Sequence, residues 1–309
     1  MLSSSRHLVR ALPGDFRIVL ADIGSAGGVH RRWHPVRPHL STLLFDPFDT
    51  SGGTANDRVF DRALGATTGT AMLNVTRRVS MTSLLMPNAE RLSQVWYKPA
   101  HTVVERQLNV DVEPLDSLVA RESLRVDVAK IDTQGYEGAI IAGGRQTLSD
   151  QVFVCEVEVS FFDRYVGLTP IEGIVSEMRS LGFELVELGR PKRYYSKNGF
   201  GIAKPGSGLG NRPGRLAFAD AIFLKTDAQI DAMVRARLAR GDRQALLRPI
   251  VALAVYGKCD IAAALFERLE STLDDEVARR LRLWFAHVAR WQGLTKLPHL
   301  ALDYLARRV

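Results

Sequence analysis

Three aspartates, Asp22, Asp46 and Asp132, each follow a short apolar run, and that placement gives them chemistry to do. Residues 18–21, 40–45 and 126–131 read as strands buried on both faces. In a doubly wound parallel sheet the carboxyl ends of such strands converge on one crevice. Acids gathered there suit a ligand with a cationic end and a ribose. Asp46, after the second strand, holds the position from which an acid accepts hydrogen bonds from ribose hydroxyls. Pro47 stops that strand and fixes the acid at its end. Taken singly, each acid is equally well a solvated helix cap; Asp22 and Asp46 together favour a binding site. After Asp22 the chain reads Ile23-Gly24-Ser25-Ala26-Gly27-Gly28. Gly24 and Gly27 lack a Cβ, so the backbone can turn sharply there and let a ligand come close. A helix starting near Gly28 would point unpaired N–H groups at whatever lies over the loop.

The elements that must position these residues follow from pattern. Residues 29–38 carry two prolines and give a short or distorted first helix. Residues 58–64 read as a third strand. Residues 67–113, rich in Thr and Ser, form an insertion expected to lie over the crevice, with a strand or hairpin arm at 102–110. A helix opens at Pro114 with Asp116 as its N-cap. Residues 137–148 form the helix after the fourth strand, and 151–157 a fifth strand. Residues 169–181 are an amphipathic helix with Ile171, Ile174, Val175, Met178 and Leu181 on one face, closed by Gly182. Residues 183–188 and 219–224 complete the sheet, with a Gly-, Pro- and basic-rich loop over 190–215 between them. From residue 227 the chain turns to Ala-, Leu- and Arg-rich helices at about 227–240, 243–256, 259–271 and 274–292, then a last short one. Strands alternating with helices make the fold class α/β, with a C-terminal all-helical extension.

Composition bounds the rest. A chain of 309 residues, 46% hydrophobic and 24% charged, has room for one large domain and a small one and is not wholly disordered. No apolar run reaches the ~18 residues needed to cross a bilayer. Residues 1–16 are polar and basic without an apolar core, which argues against a secretory signal. Cys155 and Cys259 are far apart and match no metal spacing, so a reduced, cytoplasmic protein is expected. The net charge of +7 admits nucleic acid or an anionic surface. The excess is arginine spread through helical stretches, however, and reads as solvated helix faces; nucleic acid is not expected, and an acidic or phosphorylated substrate stays open.

The most specific stretch is Val126-Asp127-Val128-Ala129-Lys130-Ile131-Asp132-Thr133-Gln134-Gly135-Tyr136-Glu137-Gly138. With Leu115-Asp116-Ser117-Leu118 before it and Gly143-Gly144 after it, this stretch resembles the FkbM family of S-adenosylmethionine-dependent methyltransferases. Phe153-Val154-Cys155-Glu156 and Ala219-Asp220-Ala221-Ile222-Phe223-Leu224 are similar to the family's fifth and terminal strands, and Met81-Thr82-Ser83-Leu84 matches its serine segment in part. Thr133-Gln134 departs from the more usual valine-glutamate pair, and Tyr136 from a small residue. The resemblance covers roughly 17–226 and sets a boundary there, with a methyltransferase domain over 1–226 and a helical domain over 227–309.

That resemblance implies a class I, Rossmann-like, seven-stranded sheet with its last strand antiparallel. It also implies S-adenosyl-L-methionine as cofactor, and O-methylation of a sugar, glycan precursor or other small polar metabolite. By position, Asp22, Gly24 and Gly27 would line the cofactor's methionine end and Asp46 its ribose, with Ser25 and Pro47 in the same binding set. The protein must hold the acceptor in line with the methyl and exclude water. A hydroxyl acceptor needs a base, for which Asp132 and Glu156 are the candidates, with His30 and His101 as outsiders. Asp132, Glu137 and Glu156 could instead hold a divalent ion; the expectation is a simple base and no metal. For Asp132 and Glu137 the competing role is helix capping.

Two rival functions use the same residues differently. A dinucleotide-dependent oxidoreductase would occupy the same crevice, but the loop reads Gly24-x-x-Gly27-Gly28 in place of G-x-G-x-x-G. A non-catalytic module would bind a partner through the helical tail. There, residues 253–267 resemble the turn of a tetratricopeptide-type hairpin without a second copy. Leu281, Trp284, Val288, Trp291 and Leu294 form an apolar stripe expected to pack as core, with a homodimer left open.

Overall fold

A computed structural model describes residues 2–25, 28–47, 56–96, 99–202 and 214–306. The chain divides into two compact units, residues 19–29 with 41–229, and residues 1–18 with 30–40 and 230–309. It opens with helix α1 (Leu2–Ala11) and lays down β1 (Ile18–Ile23) and β2 (Leu40–Phe45). Of β1 only Val19, and of β2 only Ser41, is less than fully buried, as expected of strands covered on both faces.

The predicted third strand is in fact two. β3 (Asp57–Phe60) runs parallel to β2, while β4 (Ala63–Leu64) leaves for a second sheet. Asp61 and Arg62 make the break, and Arg62 turns its guanidinium to Glu113, 2.8 Å away. The second sheet orders β4, β7 (Val104–Glu113) and β5 (Gly69–Thr76). Helix α2 (Ala89–Ser93) and the two-residue strand β6 (Val95–Trp96) lie between β5 and β7 in sequence.

Next come α3 (Leu115–Arg121), β8 (Val128–Ile131), α4 (Glu137–Gly143), α5 (Arg145–Asp150), β9 (Val154–Ser160), α6 (Ile171–Ser180), β10 (Phe183–Ser196) and β11 (Arg215–Lys225). The main sheet runs β3-β2-β1-β8-β9-β11-β10-β6. β1, β8 and β9 are parallel, and β11 is antiparallel to both β9 and β10. This is the class I methyltransferase order with one strand more than the seven expected. The eighth is β6, which the insertion contributes by pairing Trp96 with Tyr195. β10 and β11 also run further than their apolar runs imply, so residues 190–196 and 215–218 are strand where a loop was expected.

Two helix boundaries differ for identifiable reasons. Asp116 does not cap α3, where Pro114 holds the cap position. Its carboxylate instead accepts from the backbone N–H groups of Gln146 (2.9 Å) and Thr147 (2.7 Å), supplying the first turn of α5 with the acceptors it lacks. The helix predicted over 137–148 breaks at Gly144. A Cβ on Gly143 would stand 1.9 Å from the carbonyl oxygen of Gly65, so only glycine lets α4 end against that backbone.

The other unit contains α1, a 3₁₀ helix over Arg31–His39, and α7 (Asp227–Ala239) to α10. Pro35 and Pro38 lie inside that 3₁₀ segment and keep it from forming an α-helix. The helix that starts after Gly28 is therefore 3₁₀ and not α, and the His30 ring accepts from Arg32 N–H at its start. α8 (Leu247–Val255) and α9 (Cys259–Leu269) form the predicted hairpin, turning at Gly257 with φ +76°. Residues expected as two final helices form one, α10 (Asp275–Ala306). Among the described residues no helix is long and apolar enough to cross a membrane.

Gly24 is the fold's least replaceable residue at the crevice. Its φ is +81°, and a Cβ there would meet the Asp132 carbonyl oxygen at 2.0 Å. Gly28 has φ +80° with open space around it. Gly28→Ala is therefore expected to cost about 1 kcal/mol of backbone strain. Gly24→Ala adds a clash and should cost on the order of 2–4 kcal/mol. Urea unfolding of the two variants side by side checks this, and equal losses would show that the β1–β8 contact tolerates a side chain.

Candidate active site

Because β1, β8 and β9 are parallel, their carboxyl ends share one edge of the sheet, and a cleft opens there. Counted to its open mouth it holds about 880 Å³. Ile23 and Gly24 line it from the end of β1, Phe45, Asp46 and Pro47 from the end of β2, and Asp132, Thr133 and Gln134 from the end of β8. The backbone ladder carries these ends into register: Gly24 N–H donates to Phe45 O (2.9 Å) and Asp132 N–H to Ile23 O (3.0 Å). Leu64, Leu73, Tyr136 and Ile140 make an apolar wall, and Ser80, Thr82 and Ser83 of the insertion a hydroxyl-bearing one. The insertion thus borders the cleft, as its position in the chain implied.

The sequence-predicted residues separate into two sets. Gly24, Asp46, Pro47 and Asp132 meet in the cleft. Asp22, Ser25 and Glu156 are not among its lining residues, and Gly27 lies outside the described residues. The reason for Asp22 is register. Asp22 pairs with Lys130 on β8, and Lys130 with Glu156 on β9, so the three form a row across the sheet one step below the ends of β1 and β8. Lys130 Nζ lies 3.3 Å from Asp22 Oδ1 and 3.6 Å from Asp132 Oδ2. Burial lifts the Asp22 carboxyl above its ordinary value while Lys130 pulls it down. Burial lowers the Lys130 ammonium, but the carboxylates of Asp22, Asp132 and Glu156 outweigh this and hold it well above the lysine range.

Gln134 is the residue that sequence reasoning passed over. It sits at φ +60°, a left-handed conformation that strains a residue with a side chain. Its amide nitrogen donates to Asp132 Oδ1 (3.0 Å) and Glu158 Oε2 (3.2 Å). Its amide oxygen accepts from Arg164 Nη1 and Tyr165 OH, each at 3.3 Å, and its carbonyl accepts from Ser83 Oγ at 2.9 Å. Glu158 and Arg164 are both buried and ion-paired. Burial raises the Glu158 carboxyl above its ordinary value against the pull of Arg164. The sequence signal for Glu158 was present: it is two residues beyond Glu156, hence on the same face of β9.

Glu137 is occupied structurally. Its Oε1 accepts from the backbone N–H groups of Thr133 (2.9 Å) and Gly135 (3.0 Å), clasping the loop that carries Gln134. Burial raises its carboxyl, and those backbone bonds oppose the rise. Among the described residues no three His, Cys, Asp or Glu side chains are grouped to hold a metal ion.

The Asp22–Lys130 pair generates a prediction. Lys130→Met leaves Asp22 buried without its cation and is expected to cost about 3–5 kcal/mol of stability. Adding Asp22→Asn should recover a large part of that loss. Denaturant unfolding of both singles and the double closes the cycle. Additive losses would remove the pair from the framework of the site.

Comparison with known proteins adds the family. Residues 56–185 match the family model of the Methyltransferase FkbM domain. That stretch holds Asp132, Gln134, Glu156 and Glu158 and begins after the Gly24 loop and Asp46. No curated protein matches the sequence. Among solved structures the chain is similar to methyltransferase FkbM from Methylobacillus flagellatus KT, at 11% identity over 68% of this chain and 44% of that one (TM-score 0.36). The chain therefore spans less than half the length of that protein. It is also similar to a protein from Listeria monocytogenes assigned as an S-adenosylmethionine dependent methyltransferase, at 8% identity over 73% of this chain and 100% of that one (TM-score 0.33). The segment that supplies the β8 end and the insertion wall of the cleft is thus the one that matches the Methyltransferase FkbM domain.

Proposed function

We propose that the chain is an S-adenosylmethionine-dependent methyltransferase that methylates a hydroxyl group. The observation that carries this reading is that residues from three separate strand ends, Gly24, Asp46 and Asp132, line a single cleft. The residues present fit the cofactor. Asp46 offers a carboxylate for ribose hydroxyls, and the apolar wall of Leu64, Leu73 and Ile140 suits a purine ring. The carboxylates of this edge suit a sulfonium. When bound, S-adenosylmethionine supplies an electrophilic methyl group, so the hard chemistry belongs to the cofactor.

The chain supplies the base. Asp132 is about one-third exposed in the cleft, where an acceptor can reach it. Gln134 holds one of its oxygens and Lys130 stands near the other, so the carboxylate is held in one orientation. An ionised, oriented carboxylate can take the proton of an acceptor hydroxyl as the new bond to carbon forms. Glu156, the other candidate base, acts through Lys130 by sharing its charge. Asp22 does the same from β1 and supports the site without touching the cofactor. The hydroxyl-bearing wall of Ser80, Thr82 and Ser83 favours a polar acceptor of the sugar, glycan-precursor or small-metabolite class.

Calorimetric titration with S-adenosylmethionine tests the cofactor. Asp46→Ala should weaken binding by about 1–3 kcal/mol, since it strands the hydroxyls it served. An unchanged affinity would take Asp46 out of the site. With a panel of hydroxylated acceptors, Asp132→Asn should keep cofactor affinity and cut turnover about 10²-fold or more. Parallel losses in both would make Asp132 a cofactor contact and not a base.

A further inference from the structure

The long hairpin of β10 and β11 has a use that methyl transfer does not explain. β11 pairs with β9 only from Phe218, opposite Ser160, onward. Ahead of that point Leu216 and Arg215 pair with Arg193 and Tyr194 of β10 alone. Ser160 ends β9, so the free end of the hairpin lies beyond the same sheet edge on which the cleft opens. Residues 188–202 and 214–219 carry five Lys and Arg, namely Arg190, Lys192, Arg193, Lys197 and Arg215, and no Asp or Glu. Four of these lie on strand and Lys197 just past it, and Arg190 is ion-paired with Asp220 of β11 at 4.0 Å.

At the end of β10 the turn presents apolar side chains to solvent. Asn198 organises it: its Oδ1 accepts from the N–H groups of Phe200 and Ile202, each at 3.1 Å, and its Nδ2 donates to Ser196 O and Ile202 O. So tied, the turn leaves Phe200 91% and Ile202 58% exposed, with Trp96 of the neighbouring strand β6 at 47%. Met86 and Val166, joined by Val166 N–H donating to Met86 O at 2.9 Å, are a second exposed apolar pair, and Val166 follows β9 on that edge. A stacking surface for nucleic acid would show aromatic faces along a basic groove, but Tyr194 is buried and Ile202 and Val166 are aliphatic. Exposed apolar side chains on a hairpin that also carries exposed lysines match the boundary of an anionic bilayer, where acyl chains meet charged headgroups.

We propose that this hairpin end docks the protein on an anionic lipid surface, with Phe200 and Ile202 entering the acyl boundary and Lys192 and Lys197 meeting the headgroups. Full-length protein is sedimented with vesicles of phosphatidylcholine alone and of phosphatidylcholine with one-quarter phosphatidylglycerol, at low and at physiological salt. Binding to the anionic vesicles only, weakening with salt, is expected. Lys192→Glu with Lys197→Glu should lower the partition about thirtyfold or more, taking ~1 kcal/mol per lysine at the surface. Phe200→Ser with Ile202→Ser should also lower it, and both pairs, being exposed, leave the fold and S-adenosylmethionine affinity unchanged. No partition onto anionic vesicles, or partition indifferent to both double variants, overturns the proposal. So does release from the vesicles by single-stranded RNA that binds the Phe200 and Ile202 variant equally well. Vesicle binding is read without cofactor or acceptor, so its failure and that of the methyltransferase reading are separate results.

Discussion

Carboxylates on neighbouring strands repel one another at the edge of a sheet, and burying them adds a desolvation cost that attraction to a cation must offset. Lys130 is the charge that makes this edge tenable. Its ammonium is within 4 Å of Asp22 and Asp132 and shares a strand register with Glu156. The carboxylates of Asp22, Asp132 and Glu156 favour the charged ammonium of Lys130 against the opposing pull of burial. Asp132, one step further along β8, then meets a fixed cation below it and open cleft above. That asymmetry sets the buried Asp22 apart from Asp132, the base proposed above.

The strand ends were legible in the sequence because a strand buried on both faces leaves a continuous apolar run, and a charge necessarily marks its exit. Phe45-Asp46-Pro47 and Ile131-Asp132 are such exits. What the runs could not give was depth. Asp22 ends its apolar run as clearly as Asp46 does, yet β1 continues to Ile23, and parity puts Asp22 beside Lys130 below the cleft. The network through Gln134 was hidden for a different reason. Its partners Glu158, Arg164 and Tyr165 lie 24 to 31 residues away, and only the left-handed turn at Gln134 brings the amide among them. Asp116 misled in the same way. An acid one residue past a proline has the local look of a cap, and nothing local shows that the N–H groups it serves belong to α5.

The insertion between β4 and α3 explains how one framework becomes a specific site. Its two long strands pair with each other, and β7 also with β4, in a sheet of their own, while β6 adds only a two-residue edge to the main sheet at β10. Its polar segment, residues 79–84, reaches the cleft, and Ser83 fastens it to the Gln134 carbonyl. Tyr165 reinforces the same joint by donating to Met81 O at 3.0 Å. The acceptor wall and the candidate base are therefore tied through a single residue. A change in Gln134 would loosen the orientation of Asp132 and the seat of the acceptor together.

The antiparallel strand β11 decides where a surface for a partner can lie. A sheet of parallel strands alone ends every strand on one edge, and the loops there are taken up by the cleft. Turning β11 back between β9 and β10 makes a pair of strands that extends past that edge. Length beyond the sheet costs little, since the two strands satisfy each other's backbone groups, and β6 covers the outer edge of β10 at Tyr195 and Ser196. Register therefore sets the far end of the hairpin's paired strands and the cleft on one edge, so under the proposed function a surface docked there would face the side on which the cleft opens.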